Sequence, residues 1–174
     1  VMVEAIVEEA RIRADSAAAW GQKTFQTLYL GGGTPSLLEG RQLKTMVKGV
    51  LDALNAESSA LQEVTLEANP EDIVPEKVEA WLEAGITRLS IGVQSFHNDT
   101  LHWMNRAHDG EQAKKGIRLA HEMGIRHITM DLIYGVPTDR LWEEDVAQAL
   151  DLPIEHLSAY SLTVEPNTVL GTRV

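Results

Sequence analysis

Residues 24–38 read TFQTLYLGGGTPSLL, and this stretch decides the fold. Its first half carries β-branched, aromatic and leucine residues (Thr24, Phe25, Thr27, Leu28, Tyr29, Leu30) in the pattern of a buried strand, and its second half breaks into Gly31, Gly32 and Gly33 followed by Thr34 and Pro35. A strand that runs into a loop almost free of side chains exposes its peptide groups to whatever lies beside it. The loop therefore suits a small polar ligand, with a plain strand-to-helix turn as the simpler alternative. A phosphate loop needs Lys then Ser or Thr after its last glycine, whereas Thr34, Pro35 and Ser36 follow here. The dinucleotide fingerprint Gly-x-Gly-x-x-Gly fails as well, because Ser36 stands in the place of its third glycine.

Outward from that loop, helical and strand patterns alternate. Residues 1–19 place Val3, Ile6, Val7, Ala10, Ala14, Ala17 and Ala18 on one helical face, and a connector follows at residues 20–23. Residues 39–55 carry a stripe of Leu43, Met46, Val47, Val50, Leu51 and Leu54. Residues 63–69 alternate as a strand, and Pro75 opens a helix whose buried face is Val78, Trp81 and Leu82, ended by Gly85. A strand follows at 88–94, then a short helical turn at 98–104, then a helix capped by Asp109 and Gln112 that buries Ala113, Ile117 and Ala120. Strand 127–134, a helix over about 140–150 burying Trp142, Val146 and Ala149, and strand 156–164 complete the order. Strand starts lie roughly 25 to 40 residues apart, the spacing of parallel strands joined by helical crossovers.

Right-handed crossovers bring the C-terminal ends of such strands to one rim, where ligands lie. Polar or glycine-rich residues end every strand: the glycine loop, Glu67 with Asn69, Gln94 with Ser95, Asp131 with Tyr134, and Ser161 with Thr163. Asp131 sits between Met130 and Leu132 and needs hydrogen-bond partners such as hydroxyls. With Arg106 these residues offer an acid for an amine, a guanidinium for a carboxylate, and an amide and an acid for hydroxyls. An amino acid joined to a ribose fits that set.

Composition narrows the class. The 174 residues carry a net charge of −11, with 44% hydrophobic and 24% charged residues, which describes one folded unit and argues against a nucleic-acid surface. No apolar run is long enough to cross a bilayer and no leader pattern opens the chain, so a cytoplasmic protein is expected. Cysteine is absent. His97, His102 and His108 are not spaced for one helix face, and His121, His127 and His156 suit element ends, so a zinc site is not expected. Trp20, Trp81, Trp103 and Trp142 are expected to pack helices on the sheet.

Six segments carry a resemblance: GGGTPSLL at 31–38, EANP at 67–70, GITRLSIGVQSF at 85–96, MNRAH at 104–108, MDLIYGVP at 130–137 and HLSAYSLTVEPNT at 156–168. In this order they are similar to the radical S-adenosylmethionine core of the oxygen-independent coproporphyrinogen III oxidase family. Arg106-x-His108 and SAYSLTVEP at 158–166 resemble its heme chaperone branch more than the true oxidase. The resemblance implies an α/β fold, a partial (βα)6 TIM-like barrel with parallel strands and helical crossovers. It implies a single core domain over 1–174, cut at both ends, with the first strand and the cluster loop missing.

At matching positions the resemblance implies that Gly32, Gly33 and Thr34 hold the amino and carboxylate ends of S-adenosyl-L-methionine. Glu67 would pair with its ammonium and Arg106 with its carboxylate. Gln94 and Asp131 would take the ribose hydroxyls, and Ile133 and Thr163 the adenine. It further implies a 4Fe-4S cluster in the intact protein on a Cys-x-x-x-Cys-x-x-Cys loop that these residues lack. Heme or porphyrin, with heme-accepting proteins, would be the partners. Alternatives are the true oxidase, which decarboxylates propionates oxidatively, a non-redox (βα) enzyme acting on a small molecule, and carriage of heme without turnover.

Overall fold

The computed structural model of the chain describes residues 2–19, 25–137, 142–168 and 171–172. The connector at 20–23, Thr24, Trp20, the side chains of Ala17 and Ala18 and the start of the sixth helix at 140–141 lie outside the described residues. The elements run α1 (Met2–Ala19), β1 (Thr27–Leu30), α2 (Gly40–Ala53), β2 (Glu63–Ala68), α3 (Pro75–Glu83), β3 (Arg88–Gln94), α4 (Asn98–Trp103), α5 (Gly110–Glu122), β4 (His127–Tyr134), α6 (Trp142–Leu150) and β5 (His156–Ser161). Single 3₁₀ turns at Pro35–Leu37, Ser58–Ala60 and Pro70–Asp72 join some of them. The strands form one five-stranded sheet in the order β1-β2-β3-β4-β5, every pair parallel. This open sheet with helical crossovers is the partial barrel that the spacing predicts.

The register separates two faces. On one, Leu66, Leu89, Ile91, Ile128, Met130 and Leu132 are closed from solvent beneath the helices, where they meet Leu43, Val78, Trp81 and Ile117. On the other, the paired residues are polar: Tyr29 beside Thr65, Glu67 beside Ser90, Ser90 beside Thr129, and Asp131 beside Ser158. At its N-terminal half this face is cross-braced. Arg88 reaches Glu63 at 3.3 Å and Thr65 at 3.4 Å and donates to Thr129, while Thr65 donates to Glu63 at 2.7 Å. Thr65 and Thr129 are thereby buried with their hydroxyls satisfied.

Four helices end alike. The amides of Asn55, Gly85, Asn105 and Gly124, all at positive φ, bond back to Asp52, Leu82, His102 and His121, and the next amide in each case bonds to the residue before that acceptor, Leu51, Trp81, Leu101 and Ala120. After α2, α3 and α5 the residue following the cap is apolar: Ala56, Ile86 or Ile125. After α4 it is Arg106.

Four sequence expectations need correction. β1 is an edge strand, not a buried one: Thr27 and Tyr29 are exposed, and Phe25 lies before it, 39% exposed. The last strand stops at Ser161, so Thr163 lies beyond it and is exposed. On α1, which packs against α2, Ile6 lies outward at 40% exposure, whereas Val3, Val7, Ala10 and Ala14 are partly covered. In α6 the fully buried residues are Asp145 and Ala149, with Trp142 and Val146 half-buried and Trp142 tilted against Tyr134, ring centroids 5.4 Å apart.

Gly110 opens α5 directly beneath the turn that leaves β3. A Cβ built there would lie 2.1 Å from the Phe96 carbonyl oxygen, a rigid backbone atom. Gly→Ala in a helix ordinarily stabilises by about 1 kcal/mol. Gly110→Ala is expected to do the opposite, costing on the order of 1–3 kcal/mol in a urea denaturation series because the backbone must shift to admit the methyl.

Candidate functional site

The site forms where β1, β2, β3 and β4 end. Gly31 follows β1, and a Cβ there would lie 2.7 Å from both the Glu67 carboxylate and the Tyr29 ring, so a side chain at this position would displace that pair. Glu67, near the end of β2, accepts hydrogen bonds from the Tyr29 hydroxyl at 2.8 Å and from the Gly32 amide at 3.1 Å. Burial and the bond to Glu67 push the Tyr29 hydroxyl above its ordinary pKa. Gly32 holds φ +80°, and a Cβ at Gly32 or Gly33 would meet no atom within 4 Å, so the peptide groups beside the carboxylate face open space. Beyond Thr34, Ser36 donates to the buried Asp72 at 2.7 Å, and Lys77 bonds Asp72 at 2.6 Å and the Ser36 carbonyl at 3.0 Å. The glycine loop is thus anchored to the turn after β2.

The end of β3 departs from regular pairing. The register with β4 shifts between Ile91 and Gln94, and Gln94 adopts φ +69° although buried. A bulge of this kind re-aims a side chain. Here it folds the Gln94 amide back over Gly92: a Cβ on Gly92 would lie 2.7 Å from Gln94 Nε2, 3.7 Å from Asn69 Oδ1 and 3.8 Å from Arg106 Nη2. Gly92 therefore lets Asn69, Gln94 and Arg106 converge from three segments. Arg106 is half-buried, and its side chain makes no hydrogen bond or ion pair within 4 Å among the described residues. Burial draws the guanidinium below the ordinary arginine pKa, opposed by the Glu71 carboxylate.

Asp131 and Ile133 share one face of β4, paired with Ser158 and Tyr160 of β5. Burial pushes the Asp131 carboxyl above its ordinary value, and the Glu67 charge adds to this, while the Ser158 hydroxyl bond, His156 and Arg88 draw it back. Ile133 is half-buried beside the exposed Tyr160, an apolar flank at the far side of the rim.

Of the residues the sequence singles out, Gly32, Gly33 and Thr34 follow β1, Glu67, Gln94, Asp131 and Ile133 lie on β2, β3 and β4, Arg106 follows α4 and reaches the end of β3 beside Gly92, and Thr163 lies past β5. Tyr29, Ser158 and Tyr160 escaped notice. Two-residue periodicity from Glu67 and Asp131 through the paired strands would have found them. Asp72 and Asp145 were also missed, and nothing in their local sequence marks them as buried; His108, singled out with Arg106 as a marker of the family branch, is buried too. Asp145 accepts from Ser95 Oγ and the Phe96 amide, both at 2.7 Å, holding the turn after β3. His108 is buried and bonded at both ring nitrogens, so it is not placed as a ligand. Among the described residues no three His, Cys, Asp or Glu side chains could hold a metal. An open groove of about 430 Å³ between the C-terminal ends of α5 and α6 lies away from the rim and mixes charges of both signs.

A family model described as "Radical SAM superfamily" matches residues 3–150. The chain is 41% identical over 162 residues to "Heme chaperone HemW" of Escherichia coli (strain K12), an alignment covering 91% of this chain and 42% of that protein. The proteins of the same name from Haemophilus influenzae and Bacillus subtilis are 36% and 40% identical over 154 and 157 residues, covering 87% and 89% of this chain and 40% and 41% of theirs. The chain thus spans about two fifths of the length of these curated relatives. Among solved structures, "Coproporphyrinogen III oxidase (HemN) from Escherichia coli" superposes with a TM-score of 0.81 at 23% identity over 99% of this chain and 40% of that one. An Elp3 from Methanocaldococcus infernus superposes at 0.76 with 20% identity, over 95% of this chain and 43% of that one. Both are likenesses of fold.

The upward shift of Asp131 fixes the sign of a pH effect. A carboxyl whose folded pKa is raised favours the native state below its unfolded pKa, about 3.9, and loses that contribution as pH rises through the folded value. Asp131→Asn cannot lose a proton, so its thermal midpoint is expected to gain on the wild type as pH rises from about 3 to 7. A difference independent of pH would contradict the assignment.

Proposed function

The chain belongs to the radical SAM superfamily, and from that premise we propose that the rim binds S-adenosylmethionine in a protein that handles heme. One observation carries the reading. A carboxylate fixed at an open glycine loop and a half-buried guanidinium without a bonded partner among the described residues stand at neighbouring strand ends. Opposite charges so arranged suit a zwitterionic amino acid, with Glu67 accepting from the ammonium and Arg106 donating to the carboxylate. Peptide groups of Gly32, Gly33 and Thr34 would add contacts to the same end. Gln94 and Asp131 would bind the ribose hydroxyls, the raised pKa of Asp131 suiting a carboxyl that shares protons with them. Ile133, with Thr163 beyond the strand end, would cover the adenine, and we add Tyr160 to that flank.

S-adenosylmethionine, when bound, supplies the adenosyl group on which the superfamily's radical chemistry depends. The side chains described orient it and shield its amino-acid end. A 4Fe-4S cluster goes with the superfamily, but its cysteine ligands are not among these 174 residues, so no step is routed through it here. Heme handling is supported by the name shared by the relatives at 36–41% identity. The proposal extends to heme-accepting proteins as partners and to a cytoplasmic setting, which the lack of any membrane-length apolar helix among the described residues suits.

Calorimetric titration with S-adenosylmethionine tests the site. Glu67→Gln and Arg106→Ala are each expected to weaken binding by about 10- to 100-fold, the loss typical of a charge-assisted hydrogen bond, with the circular dichroism spectrum unchanged. Equal affinity in both variants, or none in the wild type, would refute the assignment. Absorbance titration with heme tests the cargo.

A further inference from the structure

His108 is enclosed, with 1% of its side chain exposed, and neither ring nitrogen is free. Its Nε2 lies 3.0 Å from the Val93 carbonyl oxygen and its Nδ1 3.1 Å from Oε2 of Glu71. A carbonyl oxygen accepts only, and so does an ionised carboxylate. A neutral imidazole has a single N–H and can serve one of these partners, leaving a lone pair against the other. The arrangement is satisfied when the ring donates from both nitrogens as an imidazolium, or when Glu71 itself holds the extra proton. In the first form the ring donates to the Glu71 carboxylate, and in the second Glu71 donates to Nδ1 and carries no charge; in both, Glu71 is engaged by His108.

Arg106 stands two residues earlier in the same segment, close enough to feel the Glu71 charge yet without an ion pair to it within 4 Å. A half-buried guanidinium beside a free carboxylate would ordinarily close on it, because a bidentate arginine–carboxylate pair is among the stronger polar contacts. We propose that His108 is a positioning residue: by sharing a hydrogen bond with Glu71 while anchored to the Val93 carbonyl, it withholds that carboxyl group from Arg106 and reserves the guanidinium for the carboxylate of an amino-acid ligand. The inference rests on the rim reading given under Proposed function. It assigns His108 no contact with the ligand. Anchorage to Val93, the residue before Gln94, also ties the Arg106 segment to the bulge that aims the Gln94 amide.

The test is a mutant cycle in S-adenosylmethionine binding, read by calorimetry. His108→Leu leaves Glu71 without its partner and is expected to weaken binding roughly tenfold. Adding Glu71→Gln removes the competing charge and should restore affinity to within about threefold of the wild type, which a merely structural brace would not do. Glu71→Gln alone should bind at least as tightly as the wild type. If His108→Leu does not fold, the Glu71→Gln affinity decides. Weaker binding by Glu71→Gln, or a double variant no better than His108→Leu, overturns the inference while leaving the rim reading intact. Absence of binding by every form, wild type included, overturns the rim reading and the purpose given to His108 with it.

Discussion

The whole arrangement depends on one constraint, the register of five parallel strands. Side chains alternate across a strand with a period of two, so a slip of one residue in any pairing would turn its apolar set to the polar face. With Leu66 opposite Leu89 and Ile91 opposite Met130, the pairs beneath the helices set apolar against apolar. The same pairings put Glu67 opposite Ser90 and Asp131 opposite Ser158. Burial of the hydrophobic face, worth about 25 cal/mol per Å² removed from water, therefore fixes the polar groups of the other face without any interaction among them being strong. The site is a by-product of the core.

That dependence explains what could be read from the sequence. β3 and β4 run over 88–94 and 127–134 as the alternation indicates, because buried parallel strands bounded by glycine and proline leave little choice. Helix starts at Pro75 and after Asp109 follow from local chemistry alone, and the Asp109 carboxylate accepts from the Gln112 amide at 2.7 Å. The exposure of β1 was not legible, since Leu28 and Leu30 are as apolar as any core strand and only the sheet order makes it an edge. Thr163 was misplaced for the opposite reason: alternation continues through Leu162 and Val164 after the pairing has stopped at Tyr134 opposite Ser161.

Among the site residues, those on strands were legible and those held by distant partners were not. Glu67 and Asp131 stand out because a carboxylate within an apolar strand needs a reason. Asp145 looks like a helix-opening acid beside Glu143 and Glu144, and acids there are ordinarily solvated and favoured by the helix dipole. Its burial follows from a turn fifty positions earlier in the chain, whose Ser95 hydroxyl and Phe96 amide need an acceptor. Asp72 is the same case, with Ser36 and Lys77 as its donors. No window of sequence contains both halves of either contact.

These acids also bear on why the rim stays open. Loops at strand ends expose peptide groups that must be satisfied, and the cheapest way to do so is to let them collapse on one another. Here three carboxylates hold the loops apart instead: Asp72 bonds the Ser36 hydroxyl after the glycine loop, Asp145 the Phe96 amide after β3, and Glu71 the His108 ring in the segment carrying Arg106. A buried carboxylate is costly unless charge-assisted donors surround it, and each of these has at least one. With the loops braced from behind, Glu67 keeps lone pairs toward the Gly32 cradle and Arg106 keeps its donors. The position after the α4 cap, apolar after α2, α3 and α5, can hold an arginine because the contact an apolar residue would make there is replaced by the His108 anchor two residues on. A local rule is broken where a neighbouring interaction makes the breach tolerable, and the residue that breaks it is the one left with donors to spare.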